Sequence, residues 1–179
     1  MDSTPCESRI ELLFWMQREL SWALKRRNMN RTPGPIIRDL RKQAIASELE
    51  EKNKALVLRA FDTLFNKREY ATAERFWSPQ YIQHSAHIAP GRDGLFDLIK
   101  SIPPTLKYEP GTIVAEGDFV IVHGRFSAFG APANWIAADI LRIEDGLLVE
   151  HWDVIQDEAT EEQSKSGAPM FGKTFPRHK

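Results

Sequence analysis

The chain has 179 residues, 42% of them hydrophobic, and a formal net charge of −1, enough apolar material for the core of one domain with an appendage but short for two domains. The near balance of charge removes any global pull toward nucleic acid or an anionic membrane. Cys6 is the only cysteine, which excludes an intrachain disulfide and a cysteine-built metal cage and fits an intracellular, cytoplasmic protein.

Charge is distributed unevenly. Residues 1–45 hold nine Lys/Arg against five Asp/Glu, so the basic part is an N-terminal segment. There Ile10, Leu13, Phe14, Leu20 and Leu24 recur near helical spacing and predict an amphipathic helix from Glu7 to about Lys25. Its apolar run, 12–16, is bounded by Glu11 and Arg18 and is too short to span a bilayer or to serve as a signal-peptide core. Asp2, Glu7, Glu11 and Glu19 argue against a transit peptide. The Lys25-Arg26-Arg27 cluster lacks aromatic interleaving and reads as a solvated helix end. "RTPGPII" stops this helix, and a second is predicted from about Asp39 to Phe65, with Leu49, Leu56, Ala60, Phe61 and Leu64 on one face and a break near Ser47.

A third helix, "ATAERFW", halts at Ser78-Pro79 and gives way to an extended piece, "YIQHSAHI". "GRDGLFDLIKSI" is a short helix closed by Pro103-Pro104. The remainder reads as strand: 112–115 and 119–129 about the turn Glu116-Gly117-Asp118, then 134–143 and 147–156 about Asp145-Gly146. Helices first and antiparallel strands afterwards make an α+β pattern. The division expected is a helical extension over 1–46 and an α+β domain with a C-terminal tail over 47–179. No Gly-x-Gly-x-x-Gly, phosphate loop or Gly-x-Ser-x-Gly elbow occurs.

The last hairpin carries polar residues where an apolar strand is expected. Asp139 sits among Ala137, Ala138, Ile140 and Leu141, and His151, Trp152 and Asp153 interrupt the returning strand. Unpaired burial of such groups is costly, so they either face water or line something. A three-residue loop places Asp139 opposite His151 with Asp153 beside them, whereas a two-residue loop places it opposite Trp152; the sequence allows both. In either case low-dielectric surroundings raise the Asp139 pKa toward the range useful for moving protons. Arg142 is expected on the other sheet face, paired with Glu150. His84-Ser85-Ala86-His87 is no metal site, since residues three apart on an extended segment point to opposite sides. Trp135 and Trp152 are core residues or an aromatic wall for a flat substrate.

"FDTLFNKREYATAERFWSPQYIQHSA", "GRDGL", "EGDFVIVHGRF", "ADILRIEDGLLVEHWDVIQ" and "GAPMF", in that order, resemble the SnoaL-like polyketide cyclase family of the nuclear transport factor two-like superfamily. The resemblance covers roughly residues 50–172, and residues 1–45 match nothing in that family. It implies a cone-shaped α+β barrel, with a strongly bent antiparallel sheet wrapped around helices and an apolar pocket at its mouth. It also implies cofactor-free acid-base chemistry (aldol-type cyclase, isomerase or dehydratase) on an apolar, carbonyl-bearing small molecule, with Asp139 at the family's acid/base position and His84 at its Y-x-x-H position. Asp139, His84, His123 and His151 are thus the catalytic candidates, ahead of His87 and His178, and Tyr81, Phe119, Trp135 and Trp152 the substrate-binding ones. No metal, cofactor, nucleic-acid or membrane partner is expected. A non-catalytic module that holds a ligand or protein partner is the competing reading. A homodimer across the sheet is expected, because Val120, Val122, Ile140, Val149 and Val154 need cover as well as their pocket-facing neighbours. Leu13, Phe14 and Leu24 of the N-terminal helix offer a rival cover.

Overall fold

A computed structural model of the chain describes residues 34–176; the predicted helix over Glu7–Lys25, Cys6 and His178 lie outside the described residues. The chain divides between Gln43 and Ala44 into two units. Of the first, the described residues belong to the opening turns of helix α1, Pro35–Phe61. Proline suits a helix start because its missing N–H is one the first turn leaves unpaired anyway, and the Gly34 carbonyl accepts from the Arg38 N–H at 3.1 Å. The same Pro-Gly-Pro that terminates one helical pattern therefore starts the next, and the break expected near Ser47 is absent from the described helix.

Within the second unit α1 goes below the surface at Asn53, and Leu56, Val57, Ala60 and Phe61 are buried. The helix then loosens into one π-helical turn, Asp62–Asn66, where the Thr63 hydroxyl donates to the Arg59 carbonyl at 2.6 Å. A short helix α2, Tyr70–Ala73, and a 3₁₀ turn, Glu74–Phe76, replace the single third helix. There follow β1 (Trp77–Gln83), α3 (Gly91–Ser101), β2 (Lys107–Glu116), β3 (Phe119–Ser127), β4 (Trp135–Glu144) and β5 (Leu147–Asp157).

The five strands form one curled sheet in the order β1-β5-β4-β3-β2. β2 to β5 form the bent antiparallel sheet expected, and β1 is added to its edge parallel to β5. β1 follows the 3₁₀ turn and leads into α3, so no hairpin ties it to β5 and it is free to take either direction. The inner face of the sheet, with Val120, Val122, Leu141, Ile143 and Leu148, closes on Leu56, Val57, Phe61 and Leu64 and on Leu95, Phe96 and Ile99 to make one core. Val120 and Val122 thus point inward and are fully buried, not outward as a dimer surface would need. The β2–β3 turn is tied to α1, since Asn53 Nδ2 donates to the Gly117 carbonyl and the Gly117 N–H donates to Glu50 Oε1, both at 3.2 Å.

The last hairpin has a register the sequence did not offer. Asp145 and Gly146 both have positive φ, 50° and 75°, the primed two-residue turn that matches strand twist. Glu144 pairs with Leu147 and Ile143 with Leu148, but Arg142 pairs with Glu150. Val149 is therefore the extra residue of a bulge. Beyond it Leu141 faces His151 and Asp139 faces Asp153. The two-residue loop is correct, but the shared face that went with the three-residue alternative is the one found, because the bulge moves the pairing on by one more position and so restores the parity. Replacing Gly146 with Ala should cost about 1 kcal/mol, read as a lowered urea midpoint with an unchanged denaturant slope; an unchanged midpoint would mean the turn geometry is not strained.

Candidate active site

Strand parity assembles the site. On β4 the inward positions are Trp135, Ala137, Asp139 and Leu141; on β5 they are His151, Asp153 and Ile155. From β1 and the loop after it, every second residue, Tyr81, Ser85 and His87, reaches the same cavity, and Gln83 stands against His151. Phe61, Phe65, Leu95, Ile99, Leu106 and Phe126 complete a wall that is largely carbon around about 660 Å³ of space including the open mouth. At the mouth the Trp135 ring lies 4.6 Å from Phe129 and 5.7 Å from His87, centroid to centroid.

At the polar end His151 Nε2 lies 3.0 Å from Asp139 Oδ1 and His151 Nδ1 lies 2.9 Å from Gln83 Oε1. The Ser85 backbone N–H also donates to Gln83 Oε1, at 2.9 Å. A main-chain N–H can only donate, so the atom it meets is the amide oxygen, and the imidazole nitrogen meeting the same oxygen carries a proton. His151 is therefore protonated at Nδ1, and its Nε2 shares one proton with Asp139: a carboxylic acid donating to a neutral imidazole, or an imidazolium donating to a carboxylate.

Burial raises the Asp139 pKa; the His151 hydrogen bond and charge oppose this, and the facing Asp153 carboxylate adds to it. At 4% exposed and in a wall of carbon, Asp139 favours the neutral arrangement. Its Oδ2 is buried and has no hydrogen-bond partner among the described residues. The Tyr81 pKa is also raised, chiefly by burial; the nearby Trp77 indole and Gln83 amide lower it, and Asp139 and Asp153 raise it. Tyr81 thus remains a neutral donor beside the acid. Asp139, His151 and Asp153 place one ligand atom each within 4.8 Å of one another, but His151 Nε2 is already engaged by Asp139 Oδ1, and the His84–His87 segment weighed from sequence is not part of this cluster.

The structure brings together Asp139, His151, Tyr81 and Trp135. Other sequence candidates lie on the outer sheet face. His84 stacks on Trp152, 4.7 Å apart and 3° from parallel, and its Nε2 lies 2.9 Å from Glu150 Oε1. Arg142 Nε donates to Glu150 Oε2 at 2.8 Å, the outer-face pair expected. Phe119 is exposed beside Trp152. His123 faces Phe171 of the tail, 5.7 Å away. His84, His123, Trp152 and Phe119 are therefore corrected as pocket residues. The physical reason is the two-residue strand period: counting from Tyr81, the inward neighbour is Gln83 and not His84. Gln83 and Ser85 are site residues the motif reading missed, and His87, ranked below the other histidines, lines the cavity too; parity from Tyr81 was the available signal.

A sequence profile of the SnoaL-like domain matches residues 57–151, just over half of the chain. A candidate ketosteroid isomerase from Kribbella flavida superposes with a TM-score of 0.52 at 16% identity, over 60% of this chain and 80% of that one. An NTF-2-like protein of unknown function from Burkholderia xenovorans gives 0.51 at 19%, over 60% and 84%, and a candidate polyketide cyclase from Acidithiobacillus ferrooxidans gives 0.51 at 16%, over 59% and 88%. At these identities the likeness is one of fold. No curated protein matches the chain by sequence.

The site has a stability signature. A carboxyl whose folded pKa is raised favours folding fully below its unfolded value, 3.8, and that contribution is lost as pH rises toward the folded pKa. Asp139→Asn keeps the shape of the neutral acid, and its amide can still donate to Nε2, but it escapes this loss. The variant should melt near the wild-type temperature at pH 4 and above it at pH 7; a variant less stable at pH 7 would show an ion pair instead.

Proposed function

We propose that this chain, which belongs to the SnoaL-like domain family, is a cofactor-independent acid-base enzyme that relocates a proton on an apolar, carbonyl-bearing small molecule. The observation that carries this reading is the Asp139–His151 pair with its Nδ1 proton fixed by Gln83, at the base of a carbon-lined pocket. The substrate's apolar body occupies the space between Phe61, Phe65, Ile99 and Trp135, with its carbonyl oxygen at the Tyr81 hydroxyl. Asp139 Oδ2 takes a proton from the carbon next to the carbonyl while the Oδ1 proton passes to His151 Nε2. The products are an enolate hydrogen-bonded by Tyr81, a carboxylic acid, and an imidazolium whose Nδ1–H stays hydrogen-bonded to Gln83. Reversal delivers the proton to a different atom, or the enolate attacks a second carbonyl of the same molecule. Cyclisation and isomerisation are the two outcomes, and loss of a β-hydroxyl is a third.

Solvent-deuterium incorporation at the α-carbon of a panel of cyclic and polycyclic ketones, followed by NMR, tests this with simple ketones standing in for the natural substrate. The wild-type protein should catalyse exchange on at least one member. Asp139→Asn should lower that rate by about 10² to 10⁴ with the fold retained, and Tyr81→Phe by about 10² through the lost oxyanion donor. Chelators should leave exchange unchanged. Binding without exchange across the panel would instead favour a ligand-holding module, and an Asp139→Asn variant that exchanges at the wild-type rate would remove Asp139 as the base.

The same reading includes a homodimer through the outer sheet face. Ile82, Phe119, Ile121 and Val154 are 48%, 43%, 41% and 69% exposed there, flanking the Trp152–His84 stack, and contiguous apolar surface of this kind marks an interface. Sedimentation should give a dimer for the full chain and a shift toward monomer for Val154→Asp. A wild-type monomer at tens of micromolar would rule this assembly out. Among the described residues no helix is long and apolar enough to cross a membrane.

A further inference from the structure

Tyr108 is buried on the inner face at the start of β2, and the chain spends several features on holding it there. The Asn66 side chain, at the end of the π-helical turn, clamps its backbone on both sides: Nδ2 donates to the Tyr108 carbonyl at 3.1 Å and Oδ1 accepts from the Tyr108 N–H at 2.8 Å. Its ring is fixed edge-on to Phe61, at 5.2 Å, and leans over Phe126, at 4.7 Å. Beneath it lies Gly124, where a Cβ would stand 2.5 Å from Tyr108 Cε2 and 2.6 Å from its hydroxyl oxygen. A glycine inside a strand often marks such a close approach. Gly124 faces Ala137 on β4, two positions before Asp139 on the same face. Two small residues side by side thus leave a trough along which the Tyr108 side chain reaches from β2 across β3 toward Asp139.

A phenylalanine would fill this trough equally well if only carbon were needed. Instead the Tyr108 hydroxyl is buried with no hydrogen-bond partner among the described residues, and the same holds for Asp139 Oδ2. Orphaned donors and acceptors in a core are costly, and a donor and an acceptor orphaned on one face at diagonal positions are met most economically by each other or by one water between them. The remaining titratable groups packed about Asp139 are His151 and Asp153 on β5 and Tyr81 on β1; His151 is committed to Oδ1.

We propose that Tyr108 is a positioning residue that holds Asp139 Oδ2 by donating its hydroxyl hydrogen through one internal water, so that Asp139 is gripped from both oxygens. A carboxylate oxygen has two lone pairs, so an Oδ2 held in this way can still accept a substrate proton, and its free lone pair is aimed by the grip. This deepens the acid-base reading of Asp139 and rests on it. A donor to the carboxylate favours its charged form, so Tyr108 opposes the upward push of burial and keeps the carboxyl able to release its proton.

The test uses the free full-length protein with selectively labelled Asp, the Asp139 carboxyl carbon being assigned through Asp139→Asn and titrated by NMR. In Tyr108→Phe that titration should move to higher pH. Thermal stability at pH 7 should fall, and this fall should vanish in an Asp139→Leu background, where no oxygen awaits the hydroxyl. Gly124→Ala, which displaces the ring but keeps the hydroxyl, should move the Asp139 titration in the same direction. A Tyr108→Phe protein with wild-type titration and equal or greater stability overturns the proposal and leaves Tyr108 as core filling. The catalytic reading fails separately: if Tyr108→Phe shifts the titration while Asp139→Asn exchanges deuterium at the wild-type rate, the link stands and the reaction does not.

Discussion

A backbone amide that can only donate fixes the proton inventory of this site. The Ser85 N–H meets Gln83 Oε1, the same oxygen meets His151 Nδ1, and His151 Nε2 is thereby left to share a proton with Asp139. Had the Gln83 amide been turned over, its NH₂ would face the Ser85 N–H, two donors in contact, and the imidazole would lose its acceptor. The site thus takes its tautomer from the main chain of the loop after β1. That loop is in register with β5 only because β1 is parallel to it, with Gln83 beside His151.

The two faces of the sheet have been given opposite tasks by the same period of two. Inward positions carry carbon with a few polar groups, each tied or aimed: Asp139, His151 and Asp153 at one end, Tyr81 and Ser85 beside them, His87 at the mouth. Outward positions carry the ion pairs, with Glu150 serving both His84 and Arg142, and Arg125 held between Glu109 and the buried Glu158 of the tail. Charges in partial contact with water there cost little, whereas a charge on Asp139 is expensive: burial lifts that carboxyl above its ordinary range, while hydrogen bonds from His84 and Arg142 hold Glu150 below it and those from Arg125 hold Glu109 below it. Glycines are placed by the same logic of space. Gly124 makes room for Tyr108 and Gly111 for Phe171 of the tail, each where a Cβ would fall under 3.0 Å from ring carbon.

Most of the architecture was legible in order and type: helices first, then strands, with the hairpin at Asp145-Gly146 and the short helix at Gly91. Two points beyond that order share a cause. Whether the third helix tightens into a 3₁₀ turn and which way β1 runs depend on packing partners far away in the chain, whereas α1 runs unbroken through Ser47 while exposed to solvent there. His84 drew attention through its spacing from Tyr81, yet three residues is an odd interval for a strand crossing only two faces, and it came out on the far side against Trp152.

The class of the fold, its relationship to the SnoaL-like domain, the turn at Asp145-Gly146, and Asp139 as the acid out of place in an apolar strand all follow from residue type and short-range periodicity. The neighbours of that acid follow from packing. A single extra residue at Val149 shifts the β5 register and sets Asp153 opposite Asp139 with His151 on the same face. A parallel neighbour 68 residues away in the chain supplies Gln83, and a glycine on β3 admits Tyr108. Each of these is a relation between segments distant in sequence, fixed when the sheet curls around α1 and its face must be filled without voids, and no local pattern of residues encodes it.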